Sequence, residues 1–407
     1  MRITRLESFD VGVPFEAPIV HAMGVSFPVR VRTVIRLHTD DGLTGVGECG
    51  PSPLARFTGR GTMQEEVAPL VVGADPFDRG PVLAAIGRRP EAVAVEIALW
   101  DLLGKALGLP VSRLLGAERP LAAVPHSCYV FFRAPNREGR GAVTPENYVE
   151  HWTAVMRAYG FQTLKCKLGG RDPMEEAECV EALRAAVGPR VKLRVDPNGA
   201  WSLGTALRVL RRLEPVDLEY AEEPLRYSAA QGTDTAALRR LRSSGRTPIC
   251  ADGVSDTMRL RQVVLDEAAD VAMCDLFGCG GIQASRDWFQ IAHAMRLSST
   301  LHSGPELGVG QAARLHVAAA HPDLRHAIDG HYHHYVDDVL AGGKLRYEGG
   351  AMPVPEGPGL GVDLDDERLE RWAYTPERQR EWEAFWEETK RAQGVGPLYP
   401  EGRAHRW

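Results

Sequence analysis

The feature that most constrains the fold of this chain is the alternation of short apolar runs and amphipathic helical segments through its middle part. Eight such runs lie between positions 124 and 329. Strands that alternate with helices are joined by crossovers, so they form a parallel sheet. Eight parallel strands predict a closed β/α barrel. The runs cover residues 124–130, 161–167, 191–196, 218–222, 248–252, 271–275, 298–302 and 326–329.

Most of the predicted strands end in an ionisable residue, at the spacing of one strand plus one helix. Consecutive members of this series are 23 to 30 positions apart. The carboxyl ends of barrel strands share one face, and that face carries the active site. Loop polarity explains one such residue but not six in succession, so we expect these side chains to converge. The series is Lys167, Asp196, Glu222, Asp252, Asp275 and His302.

Three of these residues, Asp196, Glu222 and Asp252, are carboxylates at the ends of neighbouring strands. Like charges that share a pocket cannot all ionise without a cation between them. Oxygen ligands favour a hard divalent ion, so the sequence predicts a Mg²⁺ site. A network of structural ion pairs is the alternative.

Lys165 and Lys167 lie two positions apart on the second strand, so both point into the barrel. Two ammonium groups in a partly desolvated place should lower each other's pKa, which makes a lysine base feasible near neutral pH. Asp275 and His302 end adjacent strands, and a carboxylate bonded to an imidazole fixes its tautomer and raises its basicity. A histidine satisfied within the core is the alternative for His302.

The lysines and the histidine flank the metal-bearing strands and would face opposite sides of one substrate carbon. This arrangement suits removal of a proton next to a carboxylate, because a cation and Lys165 can stabilise the resulting enediolate. A base on each face allows racemisation, whereas an acid that assists loss of a β-hydroxyl allows dehydration.

The overall charge excludes some classes of partner. The chain has 407 residues, 48 Lys and Arg against 54 Asp and Glu, and a formal charge of −6, which argues against nucleic acid or an anionic membrane. No secretory signal or membrane span stands out. Seven cysteines without a C-x-x-C pair indicate reduced thiols. We expect a cytoplasmic homo-oligomer that acts on a small carboxylate.

The parts of the chain on either side of the barrel pattern have a different character. Residues 1–122 begin with alternating strand patterns, including a hairpin signal at Asp40-Asp41-Gly42, and continue with a largely apolar helix over 92–107. These features predict an α+β domain. The barrel pattern then occupies 123–345, and a Gly- and Pro-rich stretch followed by charged helices occupies 346–407.

The chain resembles the enolase superfamily over nearly its whole length, specifically its mandelate racemase and glucarate dehydratase-like group. The motifs that carry the resemblance are Thr44-Gly-Val-Gly-Glu48, Ala98-Leu-Trp-Asp-Leu-Leu-Gly-Lys105, Leu164-Lys-Cys-Lys167, Asp196-Pro-Asn-Gly-Ala-Trp-Ser-Leu203, Ala221-Glu-Glu-Pro224, His316-Val-Ala-Ala-Ala320 with Ala327-Ile-Asp329, and Pro358-Gly-Leu-Gly-Val362.

The resemblance implies an α/β fold, a (β/α)7β TIM-like barrel under an α+β capping domain that the C-terminal segment completes. It implies Mg²⁺ at Asp196, Glu222 and Asp252, a Lys-x-Lys pair in which Lys167 is a base beside Lys165, and a His302–Asp275 dyad. Four further residues are expected to contact the substrate: His21, Tyr129, Phe131 and Asn198.

Two positions depart from the glucarate dehydratase pattern, which has Asn where Asp252 stands and Asn residues where Ser303-Gly-Pro-Glu follows His302. We therefore expect another acid sugar, an aldonate or aldarate, as substrate. The predicted activity is a Mg²⁺-dependent dehydratase (a lyase) that yields a 2-keto-3-deoxy acid. The alternatives are a racemase or epimerase of a hydroxy acid at the same site, and a catalytically silent homologue that acts as a binding protein.

Two weaker motifs have ordinary explanations. The glycines of Gly308-Val-Gly-Gln-Ala-Ala313 imitate a dinucleotide loop, but they are expected only to let a helix begin close to the site. The run His331-Tyr-His-His-Tyr335 could hold a second metal, yet solvated or interface histidines are expected there.

Overall fold

The structure is a computed structural model that describes residues 1–22, 24–25, 29–50, 63–133, 141–225, 234–321 and 324–392. The end of the predicted C-terminal segment, from residue 393 onward, lies outside these ranges. None of the helices in them is long and apolar enough to cross a membrane.

Residues near the N-terminus form a three-stranded antiparallel sheet with Val29–Thr39 in the middle, between Ile3–Pro14 and Thr44–Cys49. The predicted hairpin is therefore present. The helix Pro90–Leu107 packs on Thr44–Cys49 so closely that a Cβ at Gly47 would lie 1.9 Å from the carbonyl oxygen of Ala94. Shorter helical segments complete this region: Met63–Val67, Ala68–Val71, Arg79–Ile86 and Val111–Leu114.

Eight parallel strands form the barrel, in sequence order around the sheet with the last strand beside the first. This confirms the predicted architecture, and each strand lies within two residues of its predicted bounds. The seventh and eighth strands are joined through a side chain, since Thr300 Oγ1 donates to the Ala327 carbonyl at 3.1 Å. The strands are Ala123–Val130, Thr163–Lys167, Lys192–Asp196, Tyr220–Glu222, Ile249–Ala251, Val271–Cys274, Ser298–Leu301 and Ile328–Gly330.

Helices join the barrel strands, and several begin at a side chain that accepts backbone N–H bonds, which satisfies donors that would otherwise be unpaired. Asp172, Ser202, Asp234 and Asp256 act in this way. The helices are Pro145–Tyr159, Pro173–Val187, Leu203–Leu213, Thr235–Arg242, Thr257–Leu265, Leu276–Cys279, Ile282–Ala294 and Gly308–Ala319.

The C-terminal part of the chain contacts both the barrel and the N-terminal sheet. Ala351–Pro353 pairs antiparallel with the first barrel strand, and the helices Asp366–Arg371 and Pro376–Ala392 follow. The carbonyl oxygen of Trp372 accepts the amide of Gly12 at 2.8 Å, which ties the tail to the N-terminal sheet. The domain limits at 122/123 and 345/346 stay a prediction.

A small antiparallel sheet of Ile19–His21, Gly24–Val25 and Phe132–Arg133 joins the two units beside the barrel mouth.

Buried carboxylates join the N-terminal unit to barrel helices. Glu48 Oε1 and Oε2 accept the amides of Leu307 and Gly310, at the start of Gly308–Ala319. Glu96, from the long N-terminal helix, accepts the amides of Ile282 and Gln283 at 2.8 and 2.9 Å. Helix N-termini favour negative charge because their first amides lack partners in the helix. These contacts hold the cap over the barrel, as the resemblance implied.

Removing the Glu96 carboxylate should therefore weaken the contact between the N-terminal unit and the barrel. We expect Glu96→Ala to lower the free energy of unfolding by about 1–3 kcal/mol, because two buried amides lose their acceptor. The exposed Glu118 is the matched control, and Glu118→Ala should leave stability unchanged. Urea denaturation measures both, and equal midpoints for the two variants would contradict a structural role for Glu96.

Candidate active site

Lys165 is the centre of a buried ion cluster at the carboxyl ends of the strands. Its Nζ donates to Glu222 Oε1 and to Asp329 Oδ2, both at 2.6 Å, and lies 3.2 Å from Asp196 Oδ2. Lys167 Nζ donates to Asp196 Oδ2 at 2.5 Å. The structure thus brings together four residues that the sequence placed in one site, Lys165, Lys167, Asp196 and Glu222, and all four are buried.

The expected lowering of the Lys165 pKa is wrong. Burial alone lowers the pKa of this ammonium group, but the charges of Asp329 and Glu222 raise it well above its usual value. The prediction considered only the neighbouring lysine, whereas carboxylates from three other strands contact Lys165. In this arrangement Lys165 stays charged and can act as a hydrogen-bond donor.

Asp329 is a site residue that the sequence reasoning did not assign. It ends the eighth predicted run, so the strand-end rule that found the other residues could have found it. Its carboxylate accepts from Ser127 Oγ and Tyr129 Oη at 2.8 and 2.9 Å, and lies 3.3 Å from Arg194 Nη1. Burial raises the pKa of Asp329, but Lys165 and Arg194 outweigh it and hold the pKa at about 2.

The predicted metal ligands fit a hard cation by their chemistry. Glu222 Oε2 is buried and has no hydrogen-bond partner among the described residues. Burial and the charge of Asp196 raise the pKa of Glu222 well above its usual value, and Asp252 adds to the effect. Crowded carboxylates with an unsatisfied oxygen are stabilised by a cation. Within the described ranges, however, no three acidic, His or Cys side chains already converge as a metal site, so the three ligands stay a prediction.

The turns after the third and fourth barrel strands are strained beside these carboxylates. Asn198 and Glu223 have positive φ angles of 48° and 38°, a region that non-glycine residues rarely adopt. The Asn198 amide donates to Asp196 Oδ1 at 2.8 Å, and Glu223 Oε2 accepts the amide of Asp252 at 3.2 Å. These bonds orient the backbone around the predicted ligands, and Asn198 Oδ1 lies 3.4 Å from Lys167 Nζ.

Asp275 and His302 are neighbours in the sheet, but they are not hydrogen-bonded to each other in this structure. The amide of His302 donates to the Cys274 carbonyl at 2.7 Å, while Asp275 Oδ1 accepts the amide of Phe277 at 3.0 Å. His302 Nδ1 is buried and finds no partner within the described part of the chain. The His302–Asp275 dyad therefore stays a prediction. In such a dyad the Asp275 carboxylate would accept a hydrogen bond from His302 Nδ1.

The predicted substrate contacts form an aromatic wall next to the lysines. Lys165 Nζ and Lys167 Nζ each lie 4.7 Å from the centre of the Tyr129 ring. Phe131 packs edge-on against Tyr129 at 5.9 Å between ring centres, and His21 lies 6.2 Å from Phe131. His21 and Phe131 are buried, as is Tyr129. Their contact with a substrate stays a prediction.

The expectation that the run from His331 to Tyr335 is solvated or part of an interface is wrong. Four of its five residues are buried, and the rings of His333 and His334 contact each other at a tilt of 40°, with their centres 3.8 Å apart. His331 packs edge-on against Tyr129, with 4.4 Å between ring centres, and so belongs to the aromatic wall. The histidines of this run favoured a position at the protein surface. The run directly follows the eighth strand, however, and turns into the space under the cap.

The comparisons with known proteins agree with the architecture. Residues 3–116 match the family model for the mandelate racemase/muconate lactonizing enzyme N-terminal domain, and residues 147–368 match the enolase C-terminal domain-like model. A probable glucarate dehydratase from Streptomyces coelicolor is 34% identical over 87% of each chain. An N-succinyl-L-Arg/Lys racemase from Bacillus cereus is 26% identical over 91% of this chain and 97% of the relative.

A solved structure extends the likeness to three dimensions. An enolase from Thermobispora bispora, complexed with magnesium and formate, is 28% identical and has a TM-score of 0.83, with 100% of both chains covered. The cap, the barrel and the tail described above are therefore arranged as in that protein.

The ion cluster makes Asp329 important for stability. Asp329→Ala leaves Lys165 and Arg194 buried with one partner fewer, so we expect the free energy of unfolding to fall by about 3–5 kcal/mol. Asp363 also accepts from a lysine, Lys105, but its side chain is 61% exposed, so Asp363→Ala should change little. Urea denaturation compares the two, and a similar loss for both would show that the buried network does not depend on Asp329.

Proposed function

The chain belongs to the mandelate racemase/muconate lactonizing enzyme family of the enolase superfamily, and from that premise we propose that it is a Mg²⁺-dependent acid-sugar dehydratase. One observation carries the proposal: two buried lysines and a histidine end strands on either side of the strands that bear the predicted carboxylate ligands. The 34% identity to a probable glucarate dehydratase supports dehydration of an aldonate or aldarate.

Asp196, Glu222 and Asp252 would hold the Mg²⁺ ion. When bound, the ion supplies Lewis-acid polarisation of the substrate carboxylate, which acidifies the neighbouring C–H bond. Lys165, which the surrounding carboxylates keep charged, would donate a hydrogen bond to the substrate carboxylate once Glu222 binds the ion and no longer accepts from Lys165. The aromatic wall around Tyr129 limits access of water to the lysines, because its rings are buried.

The proton steps belong to Lys167 and His302 in this proposal. Lys167, in its neutral amine form, would accept the proton from the carbon next to the carboxylate at Nζ. His302 then donates a proton to the β-hydroxyl, so the C–O bond breaks and water leaves. The enol that remains takes up a proton at the former β-carbon and releases its hydroxyl proton, which gives the 2-keto-3-deoxy acid. Such positioned proton transfers contribute roughly 10²–10⁴-fold each to a rate.

Racemisation at the same site is the second candidate, and the Bacillus cereus racemase relative supports it. If His302 returns a proton to the carbon instead of to the hydroxyl, the configuration inverts and no water is lost. The choice depends on the substrate, because only a substrate with a β-hydroxyl can be dehydrated.

A substrate panel in D₂O tests the proposal. We expect a 2-keto-3-deoxy product from at least one aldonate or aldarate in the presence of Mg²⁺, and a drop in kcat of about 10²–10⁴-fold for Lys167→Met and His302→Asn. Lys192→Met is the matched control, because the Lys192 side chain is 52% exposed and pairs with Glu219 away from the site.

The outcomes are distinct. Deuterium incorporation without loss of water identifies a racemase or epimerase instead. Neither product formation nor exchange with any acid sugar, in protein that binds Mg²⁺, would favour the catalytically silent homologue.

A further inference from the structure

An arginine of the cap sheet, Arg30, is mostly buried and has no ion-pair partner in the described part of the chain. Arg32, two residues further along the same strand and therefore on the same face, bonds to Glu48 at 2.7 Å. In contrast, no carboxylate within the described residues lies within 4.0 Å of the Arg30 guanidinium, and its Nε is buried without a hydrogen-bond partner. A buried cation without a partner is costly, so its presence requires an explanation.

Ring contacts connect Arg30 to the proposed catalytic lysines. Its guanidinium lies 5.8 Å from the centre of the Phe15 ring, and Phe15 stacks on His331 with 6.2 Å between ring centres. His331 packs against Tyr129 at 4.4 Å, and the Tyr129 ring faces Lys167 at 4.7 Å. Arg30 and Lys167 therefore lie near the same rings, since the charges of both act on His21 and on His331.

The polar groups beside Arg30 are neutral. Burial lowers the pKa of His21 to about 3, and the charges of Arg30 and Lys167 contribute to this shift. Burial likewise lowers the pKa of His331 well below its usual value, and His331 Nδ1 is buried with no partner in the described chain. Arg30 therefore supplies the positive charge here, and His331 supplies an unsatisfied ring nitrogen.

We propose that Arg30, assisted by His331, binds the terminal carboxylate of an aldarate and so makes the enzyme selective for diacid sugars over aldonates. This inference rests on the proposed function and adds the specificity-determining residue. A substrate whose first carboxylate bound at the predicted Mg²⁺ site would extend its other end away from the ion cluster, toward the cap. A guanidinium binds a carboxylate through two parallel hydrogen bonds, which an aldonate CH₂OH group cannot accept in the same way.

Matched substrates test the selectivity directly. The pair is an aldarate and the aldonate of the same carbon number and hydroxyl configuration, which differ only at the terminal group. We expect the wild-type kcat/KM to favour the aldarate, and Arg30→Gln to lower the aldarate value by roughly 10–100-fold while the aldonate value stays nearly the same. Arg30→Lys should recover part of the loss, because it restores the charge without the planar fork.

Arg36 provides the control on the same strand. It pairs with Glu7 and Asp366 at the far side of the cap, so Arg36→Gln should leave the ratio of the two kcat/KM values unchanged. An equal loss for both substrates in Arg30→Gln would overturn the proposal, as would preference for the aldonate or for a 6-phosphoaldonate.

Thermal unfolding separates binding from a structural role. Without substrate, Arg30→Gln should melt at the same temperature as the wild type or higher, because it removes an unpaired buried charge. Binding raises the melting temperature, so the aldarate should raise that of Mg²⁺-loaded Lys167→Met protein, and raise it less when Arg30→Gln is added. A marked destabilisation of ligand-free Arg30→Gln would contradict the proposal.

Different results would contradict the proposed reaction and the proposed role of Arg30. If aldonates alone are dehydrated, the dehydratase proposal stands and the role of Arg30 falls. If no acid sugar reacts but the aldarate binds in an Arg30-dependent manner, the binding site stands and the proposed reaction falls.

Discussion

The Lys165 ammonium group and the carboxylates around it are the interaction on which the rest of the site depends. They connect strands that are far apart in the chain, since Lys165 bonds to Asp329 across 164 positions and to Glu222 across 57. Two lysines face Asp196, Glu222 and Asp329, and Asp252 adds its charge nearby. Carboxylates this close repel one another when all are ionised, so the site favours a cation among the three predicted ligands. Burial and the charges of Asp196, Asp329 and Asp252 raise the pKa of Glu222, and its Oε2 is buried with no hydrogen-bond partner among the described residues.

The attachment of the cap to the barrel depends on a different set of buried charges, and the cap covers the carboxyl ends of the barrel strands. Glu48 binds Arg32 and the amides at the start of one barrel helix, so the cap strand is held against the barrel. The same strand carries Arg30, and the small sheet beside it carries His21. The charges of Arg30 and Lys167 both act on His21, so a cation of the cap and a cation of the barrel lie near the same buried ring.

Much of the barrel could be predicted from the sequence because each strand and helix has a recognisable pattern within its own short segment. Each strand is a short apolar run, and each predicted residue such as Asp196 or His302 follows from its position at a strand end. What could not be predicted depends on contacts between distant elements. The direction of the Lys165 pKa shift depends on Asp329. The buried His334 has Glu16 and Arg133, both far along the chain, within 3.0 Å of its Nδ1.

The central claim is that Asp196, Glu222 and Asp252 hold one divalent cation. The most direct measurement is anomalous diffraction from crystals of the full chain soaked with Mn²⁺, an ion with a similar preference for oxygen ligands. We expect a single strong peak with one oxygen of each carboxylate at about 2.0–2.2 Å, near the Mg²⁺–oxygen distance, and loss of the peak in Asp196→Asn. A peak at another place, or no peak while Lys165 stays bonded to Glu222, would contradict it.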